Sequence, residues 1–173
     1  MRRRELLAAA AALASGCGYA LQGRGITTDA SIKRIGVPLF KDRSGKLGLD
    51  GRVTQAVMEE LQKRGRFTIV REITNVDAVV GGDILSWTVA PVNFSADTGV
   101  TQATRYAISL TASVVYRKIG QMEPLWANDA FSQRDEYDMG ENAQSYFDRE
   151  MQSIERLSAA FARNLVAAML EAF

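Results

Sequence analysis

The chain has 173 residues, with 21 Lys and Arg against 20 Asp and Glu, no His and a single Cys. So even a balance gives no bulk electrostatic drive toward nucleic acid, whose phosphates call for concentrated positive charge. Without His, and with one Cys, the chain lacks the ligands of most zinc and other transition-metal sites and the usual imidazole base; no acidic cluster has ligand spacing, which argues against an enzyme.

Arg2, Arg3 and Arg4 precede the small and apolar run 6–14, too short to span a hydrocarbon core that needs about 20 residues. The run leads into Ala14-Ser15-Gly16-Cys17. An exported protein with one unpaired cysteine invites mispairing, whereas an acylated cysteine has no free thiol. The segment resembles the processing box of bacterial lipoproteins, with Ala14 where a larger apolar residue is usual and Leu13 one place further out. The resemblance implies cleavage after residue 16, and a diacylglyceryl thioether and an acylated amino group on Cys17. At about 0.8 kcal/mol per buried methylene, several acyl chains anchor durably where one binds reversibly. No second long apolar run follows, so a signal 1–16 and a lipidated tether 17–31 are expected to lead to one water-exposed domain, 32–173.

Residues 32–37 form the first expected strand, with Ile35 and Val37 as core candidates and Pro38 at its end. Residues 40–49 read as a loop. Asp50 is the expected N-cap of a helix over 50–64, where Val53, Val57 and Leu61 make one apolar stripe and Gly65 provides the stop. Phe67, Ile69 and Val70 give a second strand, parallel to the first through a right-handed crossover. A third strand spans 78–89, where Gly81-Gly82 is a candidate bulge and Asp83 a bulge or edge residue. Residues 91–103 read as an extended hairpin loop carrying Phe94. The strongest pattern is 104–117: Tyr106, Ile108, Leu110, Ala112, Val114 and Tyr116 alternate with Arg105, Ser109, Thr111, Ser113 and Arg117, as in a half-buried antiparallel strand. Residues 125–132 give a further strand and 134–141 a charged, solvated connector. Trp87 and Trp126 are expected in the core or at a sheet edge. From about residue 142 the sequence lacks Pro and Gly, and Ile154, Leu157, Phe161, Leu165 and Ala168 recur at helical spacing. The expected fold is α+β: a two-layer sandwich, two helices on one face of a mixed sheet of about four or five strands.

Cys17-Gly18-Tyr19-Ala20-Leu21-Gln22-Gly23, Ile35-Gly36-Val37-Pro38 with Phe40, the helix leading into Arg66-Phe67, Asp77-Ala78 before Gly81-Gly82-Asp83-Ile84, and Leu125-Trp126 together resemble the lipopolysaccharide-assembly lipoproteins of the Gram-negative outer membrane. Lys41-Asp42-Arg43 departs from the more neutral stretch usual after Phe40. The resemblance implies a non-enzymatic protein on the periplasmic face of the outer membrane, lipid-anchored through Cys17 and carrying no other cofactor and no metal. Its implied partners are lipopolysaccharide and, one-to-one, the large β-barrel translocon that it plugs and helps to assemble. Gly18 suits that address, since inner-membrane retention usually uses Asp at this position. Arg105 and Arg117, with Lys118 as a supplement, read either as solvated strand-end charge or as donors to lipid phosphates or lumen carboxylates. Phe94 is a candidate either for burial against its own domain or for contact with the barrel. The competing reading is an outer-membrane lipoprotein that serves another envelope enzyme or transporter.

Overall fold

The computed structural model describes residues 31–64, 66–95, 102–138 and 143–171. Along the chain come β1 (Arg34–Gly36), β2 (Lys41–Asp42), α1 (Leu49–Lys63), β3 (Thr68–Val70), β4 (Ala78–Ser95), β5 (Gln102–Lys118), β6 (Trp126–Asp138) and α2 (Ala143–Glu171). The sheet order is β3-β1-β4-β5-β6, and β2 pairs with β4 further along. β1 is parallel to both β3 and β4, as a strand-helix-strand unit through α1 requires, while β4, β5 and β6 form an antiparallel meander. Gly65 and Cys17 lie outside the described residues.

The alternation of β5 decides the layering. Ile108, Leu110, Ala112, Val114 and Tyr116 are buried on one side, where they meet Val53, Val57 and Leu61 of α1 and Leu157, Phe161 and Leu165 of α2 in a single apolar cluster. Both helices therefore lie on one face, as in the expected two-layer α+β sandwich. Phe161 stacks edge-on against Phe131 at 5.3 Å, and Phe131 meets Trp126 edge-on at 6.1 Å, so an aromatic chain joins α2 to β6. Trp87 and Trp126 are both partly buried against this core.

Two glycines make close approaches possible. Gly82 faces the helices with Phe40 beneath it: a Cβ there would lie 2.5 Å from the Phe40 ring and 2.9 Å from the Ser113 carbonyl oxygen. On the other face, a Cβ on Gly36 would collide with the Glu72 carbonyl, because the segment between β3 and β4 crosses there. Phe40 is further held by its N–H, which donates to Thr54 Oγ1 at 3.0 Å, while the Thr54 hydroxyl donates to the Asp50 carbonyl at 2.7 Å.

Several local expectations are corrected. Residues 41 and 42, read as loop, pair with Asp83 and Ile84 and supply the sixth strand. Gly48, in the left-handed region at φ 76°, is the N-cap of α1, so Asp50 falls in the first turn and acts on the helix dipole. The register shift lies between Ile84 and Ser86 rather than at Gly81-Gly82. It turns Trp87 and Val89, opposite Leu110 and Ile108, to the helix side and leaves Asp83 on the other. β4 continues through Pro91 to Ser95, where a loop was expected; among the described residues no strand pairs beyond Ile84 on the side opposite β5, and proline is tolerated on such an edge. β6 runs on to Asp138, through residues read as a connector. Its Asp135 and Gln133 face α2, where Asp135 accepts from Arg156 Nη2 at 2.9 Å and Gln133 Oε1 from Asn164 Nδ2 at 2.7 Å.

Candidate functional site

Both helices lie on one face of the meander, and among the described residues no helix covers the second face. Its central row comes from the polar parity of β5, and the register places matching side chains on either side. Ser109 lies between Thr88 and Arg134, and Thr111 between Ser86 and Ser132. The Thr111 hydroxyl donates to Ser132 Oγ at 3.3 Å. This band of hydroxyls is flanked by ion pairs, with Arg134 on Glu136 at 2.8 Å.

The candidate basic residues fall at three separate places. Arg105, toward the β4–β5 hairpin, donates through Nε to Asp138 Oδ1 at 2.8 Å and lies 3.9 Å from Glu136, and the Asp138 carboxylate raises its pKa above the ordinary value. Arg117 is on the same face but twelve positions away, about 40 Å along an extended strand. Lys118 has the opposite parity, and its Nζ donates to Ser31 Oγ at 2.8 Å. No single phosphate spans Arg105 and Arg117. Phe94 sits near the hairpin end of β4, opposite Ala103, with 59% of its surface exposed.

Arg117 instead joins residues that periodicity alone did not single out. Together with Lys41 it rims a depression of about 430 Å³ lined by Leu39, Val79 and Val115. Gly81 leaves the floor low, since nothing lies within 4 Å of where its Cβ would be. Asp83, in the same wall, is paired with Arg43. The groove thus combines an aliphatic floor with two cations at its rim. The signal in the sequence was Val115, an apolar residue on the polar parity of β5, beside the side-chain-free Gly81.

Among the described residues, no cluster of acidic residues or cysteine is placed to hold a metal ion, and no helix is long and apolar enough to cross a membrane. A family model described as lipopolysaccharide-assembly, LptE, matches residues 32–169. The chain belongs to the LptE family. It is accordingly a non-catalytic lipopolysaccharide-assembly lipoprotein. The motifs that suggested the LptE family have physical reasons here: Gly82 admits the Phe40 ring, and Gly36 admits the Glu72 carbonyl.

Solved structures share this LptE fold at low identity. Rare lipoprotein B from Shewanella oneidensis is 13% identical with a TM-score of 0.54, over 81% of this chain and 96% of that one. A minor lipoprotein from Acinetobacter baumannii is 12% identical with a TM-score of 0.50, over 80% and 91%. Lipoprotein B from Nitrosomonas europaea is 8% identical with a TM-score of 0.51, over 81% of each chain. No curated protein sequence matches the chain.

Proposed function

We propose that this protein is cleaved before Cys17, lipidated there, and held on the periplasmic face of the outer membrane, where its folded part fills the lumen of the large β-barrel lipopolysaccharide translocon. It binds that barrel one-to-one, helps it assemble, and takes part in inserting lipopolysaccharide in the outer leaflet. The observation that carries this reading is the open sheet face. A body enclosed in a polar barrel lumen needs a broad hydrophilic surface, and the hydroxyl rows of β4, β5 and β6 with their flanking ion pairs provide one. Family membership supports the same role.

Within this reading the groove at Lys41 and Arg117 is the favoured lipopolysaccharide contact. Its two cations suit phosphate oxygens, and Leu39, Val79 and Val115 suit an acyl chain. Arg105 is committed to Asp138 and Glu136 and serves the lumen-facing surface instead. Lys118 supplements the charge at the Ser31 end, and Phe94 is the barrel contact at the hairpin.

Purification from membranes followed by identification of the most abundant partner tests the reading: a stable one-to-one complex with a very large β-barrel protein is expected. An envelope enzyme or inner-membrane transporter in its place overturns it. For the groove, the paired change Lys41→Ala with Arg117→Ala is expected to remove most photo-crosslinking to lipopolysaccharide while the protein stays folded; unchanged crosslinking refutes the assignment.

A further inference from the structure

The corner at which the described chain begins has an unusual surface. Asp77 organises it. Its carboxylate accepts from the N–H groups of Lys33 and Arg34, both at 2.8 Å, its own N–H donates to the Arg34 carbonyl at 2.9 Å, and its carbonyl accepts from Ile119 N at 2.8 Å. Ser31 is held in the same corner by Lys118. These bonds fasten the start of the domain, the segment between β3 and β4, and the β5–β6 turn into one unit. The turn is tight, with Gly120 at φ 85° and Gln121 N donating to the Lys118 carbonyl at 3.2 Å.

A turn tip so constrained is ordinarily polar, yet this one presents Ile119 at 54% and Met122 at 97% exposure, and Ile73 stands 59% exposed in the segment that Asp77 closes. Lys33, whose N–H binds Asp77, and Lys118, at the end of β5, supply positive charge at this corner, against Asp77, whose carboxylate is engaged, Glu72 beside Ile73, and Glu123. Apolar side chains projecting from a fastened turn, with ammonium groups around them, match the acyl boundary and the phosphates of a bilayer surface.

The position of the corner says which surface meets it. From Cys17 to Ser31 the chain spans at most about 50 Å, even fully extended. β4 alone is about 55 Å long, so pointing the hairpin end at the anchoring membrane stretches the tether to its limit. The Ser31 corner is the end that the anchor holds near lipid. We infer that the β5–β6 turn, through Ile119 and Met122 with Lys33 and Lys118 around them, docks on the phospholipid bilayer in which Cys17 is anchored. This rests on the lipid-anchor part of the functional reading and requires that the Ser31 end of the domain project from the barrel lumen that the rest of the domain fills.

The test uses the full chain, processed in bacterial membranes, purified, and reconstituted alone in vesicles of phosphatidylethanolamine and phosphatidylglycerol. Met122→Cys and Leu47→Cys replace two residues of equal, 97% exposure. Leu47 belongs to the other half of the molecule, since its neighbour Lys46 pairs at 2.9 Å with Glu150 and Arg149 donates to the Asp138 carbonyl where β6 ends. Acylation of Cys17, read by intact mass, leaves the introduced thiol as the one site for an environment-sensitive dye. The dye at 122 is expected to shift to the blue and to lose most of its emission to brominated lipid, the dye at 47 to do neither, and Ile119→Asp to return the dye at 122 to its aqueous spectrum. An acylated protein whose dyes behave alike overturns the docking and leaves the anchor standing. An unacylated Cys17 overturns the anchor and the docking with it.

Discussion

Thr54 joins two parts of the fold through one hydroxyl, which accepts from the buried Phe40 N–H and donates to the Asp50 carbonyl. Thr54→Val keeps the shape and strands the Phe40 donor, so a loss of about 1–3 kcal/mol is expected in urea unfolding. Asp77 acts through charge. The N–H groups of Lys33 and Arg34 hold its carboxyl below the ordinary value of 3.8. A carboxyl whose pKa is depressed by folding stabilises the folded state above the unfolded-state pKa, and that contribution is lost as pH falls through the folded-state value. Asp77→Ala is therefore expected to lower the unfolding midpoint at neutral pH and to flatten its dependence on pH below about 4; a variant with an unaltered acid limb contradicts the assignment. Neither role was legible beforehand. Thr54 stands in a helix whose apolar stripe is plain, and what marks it out is the long-range contact with Phe40.

Among the elements, legibility followed the origin of the order. β5 could be read because one of its faces is buried from Ile108 to Tyr116, and the alternation over those residues records that directly. The stripes of α1 and α2 were readable for the same reason. β2 was not, since two exposed residues form a strand solely because β4 lies beside them. The end of β6 was missed because its helix-facing positions 133 and 135 are polar and find their partners on α2. Gly81-Gly82 drew attention as a bulge, yet the two residues have separate uses: Gly82 accommodates Phe40, while Gly81 lowers the groove floor. Gly82→Ala forces overlap with Phe40 and the Ser113 carbonyl and is expected to cost about 1–3 kcal/mol. Gly81→Ala, with open space above it, is expected to leave thermal unfolding nearly unchanged while partly filling the groove. A comparable loss of stability from both changes contradicts this division.

For the whole molecule, the two-layer plan separates a face that holds the fold together from a face that stays open. Composition had already argued against metal and imidazole chemistry, and family membership gives the chain a lipopolysaccharide-assembly role. The open face and its groove became visible only with the register, which sets Ser109 and Thr111 between matching polar residues and brings Lys41 to Arg117. The candidate basic residues were legible as types but not as a site, because Arg105 and Arg117 share a face without sharing a neighbourhood. The most direct test of the proposed barrel contact is photo-crosslinking in living cells from residue 109, at the centre of the open face. One dominant adduct with a very large outer-membrane β-barrel, at one-to-one stoichiometry, is expected. Failure to capture that barrel, or a dominant adduct with another envelope enzyme or transporter, contradicts it.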